Sequence, residues 1–215
     1  KVRWRFAGRL ARARIEKPAG VVPVECRLGR RARHEAAIGH GVDHVDLKKL
    51  GAVVGYTLDG GATAEIDVET FSADLATVTI TGINIHPAIA KGRMVNAVRL
   101  AAAFVDRLPQ ATLAPERTDQ REGFLHPYRI DGGVAEVALK ILLRDFDTPK
   151  LTDHARLLES IAEVLRAEYP EAKIAIQITK QYRNMSEGLI REPRAVEFAA
   201  QAMRRVGLAP KLTIV

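Results

Sequence analysis

The order of periodic segments between residues 74 and 180 narrows most sharply what this 215-residue chain can fold into. Asp74–Thr81 reads as a strand. Ala90–Leu108 carries Met94, Val95, Val98, Ala101, Ala102 and Val105 at helical spacing, and Pro109 stops it. Phe124–Ile130 and Val134–Asp145 read as the arms of a hairpin turned at Asp131-Gly132-Gly133. Thr148-Pro149 opens a second helix with Leu151, Ala155, Leu158, Ile161, Ala162 and Leu165 on one face, and Lys173–Thr179 alternates as a strand again. Strand-helix-strand-strand-helix-strand is the ferredoxin-like βαββαβ order. It predicts an antiparallel sheet with two helices on one face, an α+β unit within an α/β chain.

The flanks are less regular. Ala52–Leu58 reads as a buried strand ending at Asp59-Gly60-Gly61, and Ala64–Phe71 alternates as a strand with one wet face. Glu192–Val206 is a predicted helix with Pro193 in its first turn, and Lys211–Val215 begins a strand. Residues 1–33 hold eleven Lys or Arg and two Glu, a net +9, while the whole chain carries +7. The basic excess therefore belongs to one segment and not to a patch across the fold, which argues against nucleic-acid binding. Neither helical nor strand periodicity persists in residues 1–33, so they are expected to be a loosely held basic tail, foreign to the fold that follows and consistent with an out-of-frame reading of a GC-rich gene. The single cysteine, Cys26, excludes an internal disulfide and fits a cytoplasmic protein. No apolar run approaches the roughly 18 residues of a membrane helix.

Three positions carry candidate chemistry. Asp59, at a strand end before two glycines, suits either a turn or a metal ligand. His86 stands before Pro87 at a strand-to-helix corner, where it serves either as a local hydrogen-bonding group or as a functional imidazole. Arg144, between Leu143 and Asp145, suits either an ion pair with Asp145 or Asp147 or a bidentate grip on a carboxylate. His34, His40 and His44 invite a metal assignment, but the glycines between them make a shared helical face improbable.

Four segments, Tyr56-Thr57-Leu58-Asp59-Gly60-Gly61, Asn84-Ile85-His86-Pro87 through Asn96-Ala97, Arg144-Asp145-Phe146-Asp147 and Tyr182-Arg183-Asn184-Met185, occur in one order. Together they resemble the peptidase T (tripeptide aminopeptidase) family of two-zinc metallopeptidases, over roughly residues 38–215. The resemblance implies a partial catalytic domain at 1–73, a lid and dimerisation domain at 74–180, and a truncated return to the catalytic domain at 181–215. It implies that Asp59 ligates zinc, that His86 reaches the partner subunit's active site to stabilise an oxyanion, and that Asn96, Arg144 and Asn184 bind substrate. It further implies short peptides as substrates, two zinc ions as cofactor, and a homodimer formed through an edge strand and a helix of the lid. The family's general base and next zinc ligand fall at Ala36 and Ala37, which can neither take a proton nor hold a metal. The family's upstream ligands have no counterpart in residues 1–33, and the chain stops where relatives continue. The chain alone is therefore expected to be inactive. The alternatives are a non-catalytic lid or dimerisation module, and a nucleic-acid binder acting through residues 1–33.

Overall fold

A computed structural model describes residues 2–6, 9–13, 46–51, 53–57 and 62–215. Ala36, Ala37, Asp59 and the histidines of 34–44 lie outside them. The chain divides into two compact units, residues 1–64 with 197–210 and residues 65–196 with 211–215.

In the first unit, β1 (Val2–Phe6) and β2 (Arg9–Ala13) pair antiparallel. This differs from the expected absence of strand periodicity. The alternation Val2-Arg3-Trp4-Arg5-Phe6 has the period of two that a strand needs, but it runs for only five residues. A short helix α1 (Leu47–Leu50) follows. Residues 53–57 form no strand, and Val53 is 79% exposed, so the buried strand expected at Ala52–Leu58 is not formed by its described residues.

The second unit is built on a four-stranded antiparallel sheet. Its strands are β4 (Ser72–Thr81), β5 (Phe124–Gly132), β6 (Glu136–Asp145) and β7 (Lys173–Tyr182), in the order β5-β6-β4-β7. Helices α2 (Ala97–Asp106) and α4 (Lys150–Glu168), with the short α3 (Gln110–Leu113) between them in sequence, complete the βαββαβ arrangement. The register sets Ala76, Val78 and Ile80 beside Ile141, Leu139 and Val137, all at most 2% exposed. These pack with Leu100, Ala101 and Phe104 of α2 and Leu158, Ile161, Ala162 and Leu165 of α4 in one core. Each fully buried Leu, Ile or Phe contributes about 1.5–3 kcal/mol.

One helix expectation shifts. Helix α2 begins at Ala97, not Ala90, because three features hold the preceding residues out of it. Gly92 sits at φ +69°, Val95 pairs with Ile83, and the Asn96 side chain caps the helix by accepting from the amides of Val98 (2.9 Å) and Arg99 (3.4 Å). The buried stripe of α2 is also Ala97, Leu100, Ala101 and Phe104, and Val98 on the expected face is 44% exposed. The helix expected at Glu192–Val206 forms as α6 (Arg194–Arg205), and a short helix α5 (Ser186–Arg191) that the sequence did not signal precedes it, with Pro193 between the two.

Beyond the sheet, β3 (Glu65–Glu69) pairs in parallel with β8 (Lys211–Ile214). Gly82 ends β4 where backbone crowds it: an added Cβ would fall 2.2 Å from the Val95 carbonyl. No helix among the described residues is long and apolar enough to cross a membrane.

Candidate substrate-binding site

The loop between β4 and α2 is closed by main-chain bonds. The Ile83 amide donates to Val95 (2.8 Å), the Val95 amide to Ile83 (3.1 Å), and the Ala97 amide to Val134 (3.0 Å). The exposed loop is thereby tied at both ends to the sheet. His86 opens its 3-10 turn Pro87–Ile89, with Nδ1 accepting from the Ala88 amide at 3.2 Å. A neutral imidazole that accepts at Nδ1 carries its proton at Nε2, so the ring offers an N–H away from the turn. Asn96, from the same segment, spends its side-chain oxygen on the helix cap.

Arg144 lies on the sheet face opposite the helices. Its Nη1 donates to the carbonyls of Leu143 (3.2 Å) and Asp74 (3.4 Å), and its guanidinium stacks on the Tyr182 ring at 5.4 Å. The ion pair with Asp145 or Asp147 that the sequence left open is not formed. Asp145 is 2% exposed and turns the other way, toward His154 Nε2 at 3.3 Å and the Asp147 amide at 2.9 Å. Asp74 is held by Arg183 at 2.7 Å.

Asn184 is 7% exposed, and its amide is fully engaged. Nδ2 donates to Glu69 Oε1 (2.9 Å) and the Phe146 carbonyl (3.0 Å). Oδ1 accepts from the amides of Ser186 (2.9 Å) and Thr70 (3.4 Å). Two donors and two acceptors are the whole capacity of the side chain, so none is left for a ligand. Its backbone amide donates to Ser72 Oγ, which lies 2.5 Å from Thr148 Oγ1. Asn184 thus clasps the chain entering β4 to the chain leaving β7.

Sequence reasoning missed Glu69, Arg121 and Tyr182. Arg121 pairs with both Glu69 oxygens and lies 5.3 Å over the Phe146 ring. Burial opposes ionisation of Glu69, but hydrogen bonds from Arg121 and Asn184 and the Arg121 charge outweigh it. Its pKa falls below the ordinary 4.5. The spacing of 52 residues between Glu69 and Arg121 left no local signal. A depressed carboxylate adds stability above its unfolded value that is lost as pH falls through the folded one. We therefore expect Glu69→Gln to cost about 1–2 kcal/mol near neutrality, with solvent around Arg121 keeping the figure small. The wild-type advantage should shrink below roughly pH 4. Urea titrations of both proteins from roughly pH 7 to 3 check it, and a constant difference would refute the ion-pair account.

Residues 68–173 match the family described as the peptidase dimerisation domain. Over 175 residues, 81% of the chain, the sequence is 37% identical to a peptidase T of Clostridium botulinum and 39% identical to one of Geobacillus thermodenitrificans. The chain is a relative of peptidase T. It spans less than half the length of those relatives, 43% and 42%. In solved structures the fold is similar to a Staphylococcus aureus tripeptidase, with TM-score 0.68 and 20% identity over 84% of this chain and 48% of that one. It is also similar to a Bacillus cereus aminopeptidase, with TM-score 0.64 and 22% identity over 81% and 46%. In this peptidase T relative, His86, Asn96, Arg144 and Asn184 all fall within the 65–196 unit, but they divide in kind. His86 and Arg144 hold groups outward. Asn96 gives its side-chain oxygen to the helix cap, and Asn184 is wholly occupied by the fold.

Proposed function

We propose that this chain carries the lid and dimerisation portion of a tripeptide aminopeptidase acting on short peptides as a cytoplasmic homodimer. The observation that carries the reading is the 175-residue similarity to peptidase T, within which the His86 loop keeps an Nε2–H free to donate. In this reading residues 74–180 form the lid and the flanking segments belong to the catalytic domain. His86 donates to the developing oxyanion of a peptide bound by the second subunit. Arg144 receives the peptide carboxylate, and Asn96 turns its remaining amide donor toward substrate. Zinc, with Asp59 as one ligand, would supply the hydroxide and polarise the scissile carbonyl when bound. Among the described residues no three His, Cys, Asp or Glu side chains converge to hold a metal.

The dimer half of the reading draws on α2 and β5. Val98 (44% exposed), Tyr128 (45%) and Ile130 (53%) are exposed along this edge. Ala102, Val105, Pro127 and Ile130 line a groove of about 460 Å³ between helix and strand. Exposed apolar surface of this kind marks an interface. Ile130→Lys is expected to raise the dimer dissociation constant by about 10–100-fold, whereas Ile178→Lys on the opposite edge leaves it unchanged. Sedimentation velocity reads both. A wild-type chain that stays monomeric at roughly 100 µM, or the reverse pattern of the two variants, would overturn the reading.

A further inference from the structure

A β-bulge aims one aromatic ring at Arg144. Along β4 and β7 the register runs Leu75↔Thr179 and Asp74↔Lys180, then slips so that Ala73 faces Tyr182 and not Gln181. Without the slip Tyr182 would stand opposite Ser72 and point to the other face, since one residue of register exchanges the two faces of a strand. Ala73 also faces Arg144 across β6. The two long side chains therefore rise from strands on either side of an alanine and meet above it, at 5.4 Å from guanidinium to ring. Ala73 is 0% exposed beneath them. The guanidinium has no carboxylate within ion-pair distance among the described residues, and it donates to two backbone carbonyls at 3.2 and 3.4 Å.

We propose that Tyr182 is a positioning residue: its ring face holds the half-buried Arg144 guanidinium flat and outward, ready for the carboxylate of a short peptide. The inference rests on the reading of Arg144 as the carboxylate-binding group. A cation over an aromatic face is held by the ring quadrupole, which the hydroxyl does not supply. An arginine kept in one rotamer loses less conformational entropy on binding than a free one. Phenylalanine should therefore replace tyrosine, and leucine should not.

The test uses the ¹⁵N-labelled full chain titrated with trialanine and with trialanine amide, following the Arg144 Nε–Hε signal and the dissociation constants. The wild type should bind the carboxylate form more tightly than the amide. Tyr182→Phe should keep that preference, and Tyr182→Leu should reduce it by about 3–10-fold. Tyr182 is 50% exposed, so the leucine variant should remain folded, which its amide spectrum verifies. Tyr182→Leu with an undiminished preference, or Tyr182→Phe losing as much as Tyr182→Leu, would overturn the positioning role while leaving Arg144 in place. A wild type that does not distinguish acid from amide, or an Arg144→Met variant that still does, would overturn the Arg144 reading and the proposal with it.

Discussion

Asn184→Leu should lower the stability of the 65–196 unit by about 3–5 kcal/mol, and its melting temperature by roughly 10–20 °C. The side chain satisfies the amides of Thr70 and Ser186, the Phe146 carbonyl and Glu69 at a position 7% exposed. Leucine fills similar space but offers those groups nothing, and each buried group left without a partner costs about 1–3 kcal/mol. Asn184→Asp should do no better. It keeps the acceptors, loses both donors, and sets a second negative charge against Glu69. Urea and thermal unfolding measure the loss. A cost below about 0.5 kcal/mol for both variants would mean that the junction is held elsewhere, by the core beneath it.

The second large effect is catalytic. The purified chain supplied with zinc should show no tripeptide turnover above background. Its rate should lie more than about 10⁴-fold below that of a complete peptidase T, since a general base alone contributes roughly 10²–10⁴. By the resemblance to peptidase T, the family's base and next metal ligand would fall at Ala36 and Ala37, which can neither take a proton nor hold a metal. Asp59→Ala should change nothing measurable, because one carboxylate cannot hold a two-metal centre. The assay is release of the N-terminal residue from a tripeptide, with metal content read by elemental analysis. Stoichiometric zinc with turnover that Asp59→Ala abolishes would refute the expectation.

Much of the 65–196 unit is legible in the sequence. Alternation in Lys173–Thr179 and the strand signals at Asp74–Thr81 and Val134–Asp145 report a period of two, which survives into tertiary structure because side chains must alternate across a pleated strand. The two Gly-flanked hairpin arms and the apolar face of α4 followed in the same way. His86 and Arg144 were singled out as side chains, and both hold polar groups outward in the structure.

Other features depended on partners distant in sequence. Helix α2 is apolar on two sides. Its residues alone marked Val98 and Ala102, whereas packing buried Leu100 and Phe104 and left Val98 outside. Periodicity reports that an apolar face exists. Only the position of the sheet decides which of two faces it covers. Asn184 read as a cleft residue because its sequence neighbours say nothing about Glu69, Phe146 or Thr70, which reach it across 38 to 115 residues. Tyr182 read as one letter of a motif until a one-residue slip in β7 turned its ring onto the face of Arg144. The amino-acid sequence by itself determined the elements, their order and the chemistry available to them. Register and burial, which depend on contacts between strands far apart in the chain, decided which polar groups the fold consumes and which it leaves for a ligand.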